Sequence, residues 1–145
     1  MRHVSLVVAA TLLFSGCSGT RPEGLGVRNG ELAPCPESPN CVSTKASDGQ
    51  HRIAPIPYTG SSQDAMLRLV EVIRSMKRAK IVTRKENYLH VEFTSALFRF
   101  VDDVEFLVDD HARVIKFRSA SQLGYSDLGV NRKRMEEVRR RFTSP

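Results

Sequence analysis

Between positions 81 and 119 the chain carries four runs of alternating residues with little between them, and this constrains the fold most. IVTRKE reads as a short strand and Asn87 as a turn. In YLHVEFTS, Leu89, Val91 and Phe93 fall on one face and Tyr88, His90, Glu92 and Thr94 on the other. A third strand covers Phe100 to Val108, with Val104, Phe106 and Val108 inward. Asp109-Asp110-His111 is a turn, and RVIKFRS is the fourth strand, with Ile115 and Phe117 inward and Lys116 and Arg118 outward. Connections this short join antiparallel neighbours.

Two helical patterns flank the strands. Ser61-Ser62-Gln63-Asp64 supplies a cap and an acidic first turn, and Met66, Leu69, Val70, Ile73 and Met76 follow as one apolar stripe. The second helix runs from about Gly129 to Phe142, its inner face formed by Val130 or Arg134, Met135, Val138 and Phe142. The expectation is an α+β fold, a four-stranded antiparallel sheet packed by two helices. The sheet's other face is polar, and is either solvated or occupied by the N-terminal segment.

The chain opens with a basic Met1-Arg2-His3 and an apolar Val4 to Phe14, too short for a stable membrane span. Leu13-Phe14-Ser15-Gly16-Cys17 resembles the lipobox of bacterial lipoproteins, in which the cysteine is lipidated and becomes the N-terminus. A buried apolar helix and a plain secretory signal with a chance cysteine are the alternatives; the order of basic start, apolar run, small residues and Cys favours lipoprotein. Residues 1–16 are then a signal peptide, and Cys17 holds the protein to the membrane by acyl chains, each buried methylene contributing about 0.8 kcal/mol. Ser18 after the cysteine, rather than Asp, implies by the same resemblance the outer membrane, facing the periplasm. Residues 17–34, rich in Gly, Pro and charge, read as a flexible tether, and residues 35–145 as a single domain.

With 22 Lys and Arg against 16 Asp and Glu the chain carries +6, or +5 once Arg2 leaves with the signal. This suits anionic partners, and export argues against nucleic acid. Cys35 and Cys41, in CPESPNC, are expected to pair in an oxidising compartment. A metal site with His51, His90 or His111 lacks ligand spacing, and the pair lacks the CxxC spacing of redox motifs. No cofactor is implied.

The stretch RSASQLGYSDLGVNRKR, Arg118 to Arg134, gathers guanidinium, hydroxyl and turn-forming groups but little that fills a core. It reads in two ways. Gly124 and Gly129 permit turns, Asp127 caps the helix and an Asp–Arg bond fixes the loop. Alternatively, hydroxyls, helix N-terminal amides and Arg118, Arg132 and Arg134 converge on an anionic ligand or an envelope partner protein. Asp102 and Asp103, adjacent in a strand, point to opposite faces, so one needs a cation, with Arg118 or Arg132 as partner. With Glu105 they form one polar network with the loop. A hydrolase using Ser119 or Ser121 with His90 or His111 is the enzymatic alternative, but neither GxSxG nor HExxH occurs.

CPESPNCVST, RFVDDVEF and RSASQLGYSDLGVNRKRMEEVRRRF resemble, in order and over about Cys35 to Phe142, the family called domain of unknown function 1499. Its pattern has Arg where this chain has Gln122. The resemblance implies no activity, but carries Asp102, Asp103, Arg118, Ser119, Ser121, Gly124, Ser126, Asp127, Gly129, Asn131 and Arg132 over as motif positions.

Overall fold

A computed structural model describes residues 24–144. The signal sequence, Cys17 and the first part of the expected tether lie outside the described residues. The elements in chain order are β1 (Cys41–Ser43), β2 (Ile56–Pro57), α1 (Ser62–Ser75), β3 (Ala79–Arg84), β4 (Tyr88–Thr94), β5 (Val101–Asp109), β6 (Val114–Ser121) and α2 (Val130–Thr143). The fold is α+β.

The four expected strands form consecutive antiparallel pairs. Expectation falls short at the other edge of β6. There β1 and β2 pair antiparallel with it, so the sheet has six strands rather than four. Strands of three and two residues cannot display an alternation, and both sit in polar, Pro-containing sequence. Their addition matters for the site: β6, which carries Arg118 and Ser119, is an interior strand.

Each helix forms for a local reason. At α1 the Ser61 hydroxyl oxygen accepts from the Asp64 N–H at 3.1 Å and donates to the Asp64 carboxylate at 2.6 Å, satisfying an N-terminal amide that the helix leaves open. At α2 the Asp127 carboxylate accepts from the Gly129 and Asn131 N–H groups at 2.9 and 2.7 Å. Gly129 has φ +79°, a left-handed conformation that glycine adopts without steric cost.

Both helices cover one sheet face. Met66, Leu69, Val70 and Ile73 of α1 and Met135, Val138 and Phe142 of α2 are buried in one core with Leu89, Val91, Val104, Phe106, Ile115 and Phe117. Val42 of β1 and Ile56 of β2 join this core. Burying each such large side chain contributes about 1.5–3 kcal/mol.

The second face is occupied, as one of the two expectations had it. Leu32 packs with Tyr88 and Leu107, Gly26 N–H donates to Glu105 Oε1 at 2.6 Å, and Lys116 reaches Glu31 at 3.4 Å. Residues 24–34 are therefore seated on the domain, which corrects the reading of this part as free tether: Leu32, the Gly26 amide and the Glu31 carboxylate find partners on the polar face. Cys35 and Cys41 form a disulfide with Cα atoms 5.7 Å apart, joining this segment to β1.

Candidate functional site

Strand register decides which residues meet. Glu105 lies opposite both His90 and Arg118, and Asp102 lies opposite Ser121. Directly opposed residues share a face and neighbours in sequence do not. Asp102, Ser119 and Ser121 therefore face the helices, while His90, Asp103, Glu105 and Arg118 face the other way. The single network expected around Arg118–Arg134 is two networks with the sheet between them.

On the helix face the centre is Asn131, fully buried at the start of α2. Its Nδ2 donates to Asn40 O at 3.1 Å, Ser121 Oγ at 3.0 Å and Asp127 Oδ2 at 2.8 Å. Its Oδ1 accepts from the Ser119 hydroxyl and, at 3.0 Å, from Arg134. Arg134 also pairs with Asp102 at 2.6 Å and lies over the Phe93 ring at 4.8 Å. The partner of Asp102 is thus Arg134, not Arg118 or Arg132. Arg134 occupies the inner stripe one turn before Val138, and a cation on that stripe must find a carboxylate on the facing strand. Asn40 was not expected here.

Arg132 and Ser126 stand outside both networks. Arg132 donates to the carbonyls of Arg52 and Gln50 at 2.9 and 2.8 Å and fixes the 48–52 turn. Ser126 is exposed and accepts from the Leu128 N–H at 3.3 Å.

The opposite face holds a denser set of charges. Glu105, with no exposed surface, accepts from Tyr88 Oη at 2.8 Å, from the Gly26 amide and from Arg118 at 3.3 Å. Asp103 accepts from His90 Nε2 at 2.6 Å and from Gln122 Nε2 at 2.9 Å. Gln122 is the position where the sequence departs from the resembled family's Arg, and here its neutral amide is the donor to Asp103. Tyr88 and His90 were legible as polar-face residues, but not as partners of these acids. His90 and the hydroxyls of Ser119 and Ser121 are on opposite faces, and His111 is exposed in the β5–β6 turn, so no serine–histidine pair is formed.

Burial, and then the bond to Glu105, push the Tyr88 phenol well above its ordinary value of 10.0. The folded state then holds its proton where the unfolded chain has released it, so this contribution is complete below pH 10 and declines as pH rises beyond it. Tyr58 is raised too, by burial first and then by Asp110. Chemical denaturation followed across alkaline pH should show stability falling above pH 10, with a shallower fall in Tyr88→Phe. An unchanged slope in that variant would remove Tyr88 as a source.

Arg118 is 3% exposed and donates one hydrogen bond, through NH1 to Glu105. Its Nε is buried without an acceptor, an arrangement that costs about 1–3 kcal/mol if left so. The residue borders a cleft of about 570 Å³, walled by Arg28, Pro34, Asn40, Ser121 and Gln122. A larger cleft of about 1000 Å³ lies at the other end of the sheet, walled by Arg84, Glu86, Asp109 and His111. It contains none of the motif residues and carries both signs of charge, so its size does not outweigh the chemistry at Arg118. Among the described residues no group of three His, Cys, Asp or Glu is placed to hold a metal, and no helix is long and apolar enough to cross a membrane.

No curated protein and no solved structure matches the chain. A family model does, over residues 31–142, and its span takes in the side chains of both polar networks, the disulfide and the β1 edge described above, but not Gly26. Its description is "Protein of unknown function (DUF1499)", and the chain belongs to that family.

Proposed function

We propose that the domain binds a small anionic group, carboxylate or phosphate, in the cleft beside Arg118, as the folded part of a lipid-anchored envelope protein. The observation that carries this reading is the buried Arg118 guanidinium, whose Nε–H has no acceptor, in a residue that borders the cleft. A guanidinium offers five N–H donors in a planar fork suited to carboxylate and phosphate oxygens. Arg28 on the same wall adds a second cation, and Asn40 and Gln122 add amide groups. The lipid anchor rests on the sequence of residues 1–17 alone.

Calorimetric titration of the protein with inorganic phosphate and with succinate tests the reading. Saturable binding of at least one is expected. Arg28→Gln, at the wall and outside the folding networks, should weaken it about ten- to a hundredfold, the worth of one charge-assisted hydrogen bond, and leave the melting temperature in place. Absence of saturable binding for both anions would refute the reading.

A second reading has its own support. The helix-face cluster around Asn131 is closed and mutually bonded, which suits a structural staple between loop, sheet and helix. On that reading most of the motif serves folding, and the anions have no effect.

A further inference from the structure

Large apolar side chains left in water concentrate at one end of the sheet. The β4–β5 loop exposes Leu97, Phe98 and Phe100, and the β6–α2 loop exposes Leu123, Tyr125 and Leu128. Both loops leave the same end: Asp102 pairs with Ser121, and Gln122 N–H donates to Val101 O at 3.0 Å. Elsewhere on the described surface only Val27 and Leu67 are large, apolar and exposed, apart from Val130, which follows the second loop.

These residues are held outward by structure. The first loop is tied across its base, Ser95 N–H donating to Phe100 O at 2.8 Å and Phe100 N–H to Ser95 Oγ at 2.9 Å, and the Phe98 and Phe100 rings stack at 5.6 Å. In the second, Leu128 is 87% exposed and has φ +54°. A left-handed conformation is unfavourable for a large side chain, by roughly 1 kcal/mol or more. An exposed leucine in that conformation gives the folded protein no burial in return.

Cations lie close to both loops. Arg99 is at the tip of the first loop. Lys77 and Arg78 precede β3, whose first residue Ala79 lies opposite Phe93 at this end, and Lys133 is in the first turn of α2. Lys77, Arg99 and Lys133 form no ion pair among the described residues. The 95–100 segment contains no acid, and Asp127 in the second loop is engaged by the amides of α2.

We infer that this end of the domain docks on an anionic bilayer, the loop tips entering the interface and the cations meeting lipid phosphates. Separate apolar tips ringed by lysine and arginine match a surface that is apolar below and negative above; a protein partner would instead favour one continuous apolar patch with few charges at its centre. The expected lipid on Cys17 is compatible with this. Six residues lie between Cys17 and Gly24, at most about 25 Å of chain from one to the other, and Gly24 borders the same cleft as Gly124 of the second loop. The docking inference depends neither on that lipid nor on anion binding in the cleft.

The chain contains no tryptophan, so a single Trp reports its own site. The full chain carrying Phe98→Trp, and separately Leu67→Trp on α1 as the control, is reconstituted in phosphatidylcholine vesicles with and without phosphatidylglycerol, using acyl chains brominated or not. In anionic vesicles the Phe98→Trp reporter is expected to shift to the blue and be quenched by brominated chains, while the Leu67→Trp reporter shows neither. Arg99→Gln and Lys133→Gln should each lower the docked-to-undocked ratio about fivefold. Leu128→Gly should lower it too while leaving the melting temperature equal or higher, which separates docking from folding. Equal exposure of the two reporters in anionic vesicles would overturn the inference. So would a Phe98→Trp shift that occurs without vesicles and follows protein concentration, which would assign the surface to a second copy of the chain.

Discussion

Replacing Asn131 by Ala is expected to destabilise the domain by about 3 kcal/mol or more, read as a lowered urea midpoint at unchanged slope. The size follows from what is stranded. Asn131 has no exposed surface and serves five partners on four segments: Asn40, Ser119 and Ser121, Asp127, and Arg134. Alanine removes both sides of this hub and admits no water without opening the core. The Ser119 hydroxyl loses its acceptor in a buried setting, where an unsatisfied group costs about 1–3 kcal/mol, and the Asn40 carbonyl is left with the Ser121 N–H alone. Ser126→Ala, by contrast, touches one exposed amide contact and should stay within about 0.5 kcal/mol of the wild type. Equal effects at the two positions would remove Asn131 as the joint between loop, sheet and helix.

Arg118→Met carries the second large effect, a loss of about 3–5 kcal/mol, because it strands the Glu105 carboxylate in the interior. Glu105→Gln in the same background should recover most of that loss. The neutral amide still accepts from Tyr88 and from the Gly26 N–H, and no charge remains to be solvated. Recovery of this kind is the signature of a buried pair whose attraction is offset by desolvation. An additive double variant would mean that the two groups do not depend on each other. The same double variant keeps the fold while deleting the guanidinium, so it also abolishes anion binding under the proposed function without the complication of unfolding.

The strands that alternate over six or more residues could be read from the sequence, and so could both helices, whose stripes and caps are local. The inward set Leu89, Val91, Val104, Phe106, Ile115 and Phe117 is the buried core. Two edge strands could not be read. Cys41–Ser43 and Ile56–Pro57 are strands because β6 offers them hydrogen-bonding partners, not because of any periodicity of their own. The expected tether failed for a related reason. Its glycines and charges look solvated in isolation, yet Gly26 and Leu32 are held by Glu105, Tyr88 and Leu107, residues far along the chain.

At the candidate site, parity was legible and pairing was not. Adjacency alone put Asp102 and Asp103 on opposite faces. Which cation reached each depended on register and on the azimuth of α2, so Arg134 took Asp102, His90 and Gln122 took Asp103, and Arg118 took Glu105. The motif's density in sequence suggested one focus. The sheet running through it makes a closed cluster on one side and, on the other, a buried cation beside a cleft.

The most direct measurement is the magnetic resonance signal of the Arg118 Nε–H during titration with inorganic phosphate and with succinate. The account predicts a signal protected from solvent exchange that moves saturably with at least one anion, with the same midpoint as the calorimetric isotherm. A signal that stays in place through both titrations, with the Arg28 and Gln122 side chains equally unmoved, would contradict it.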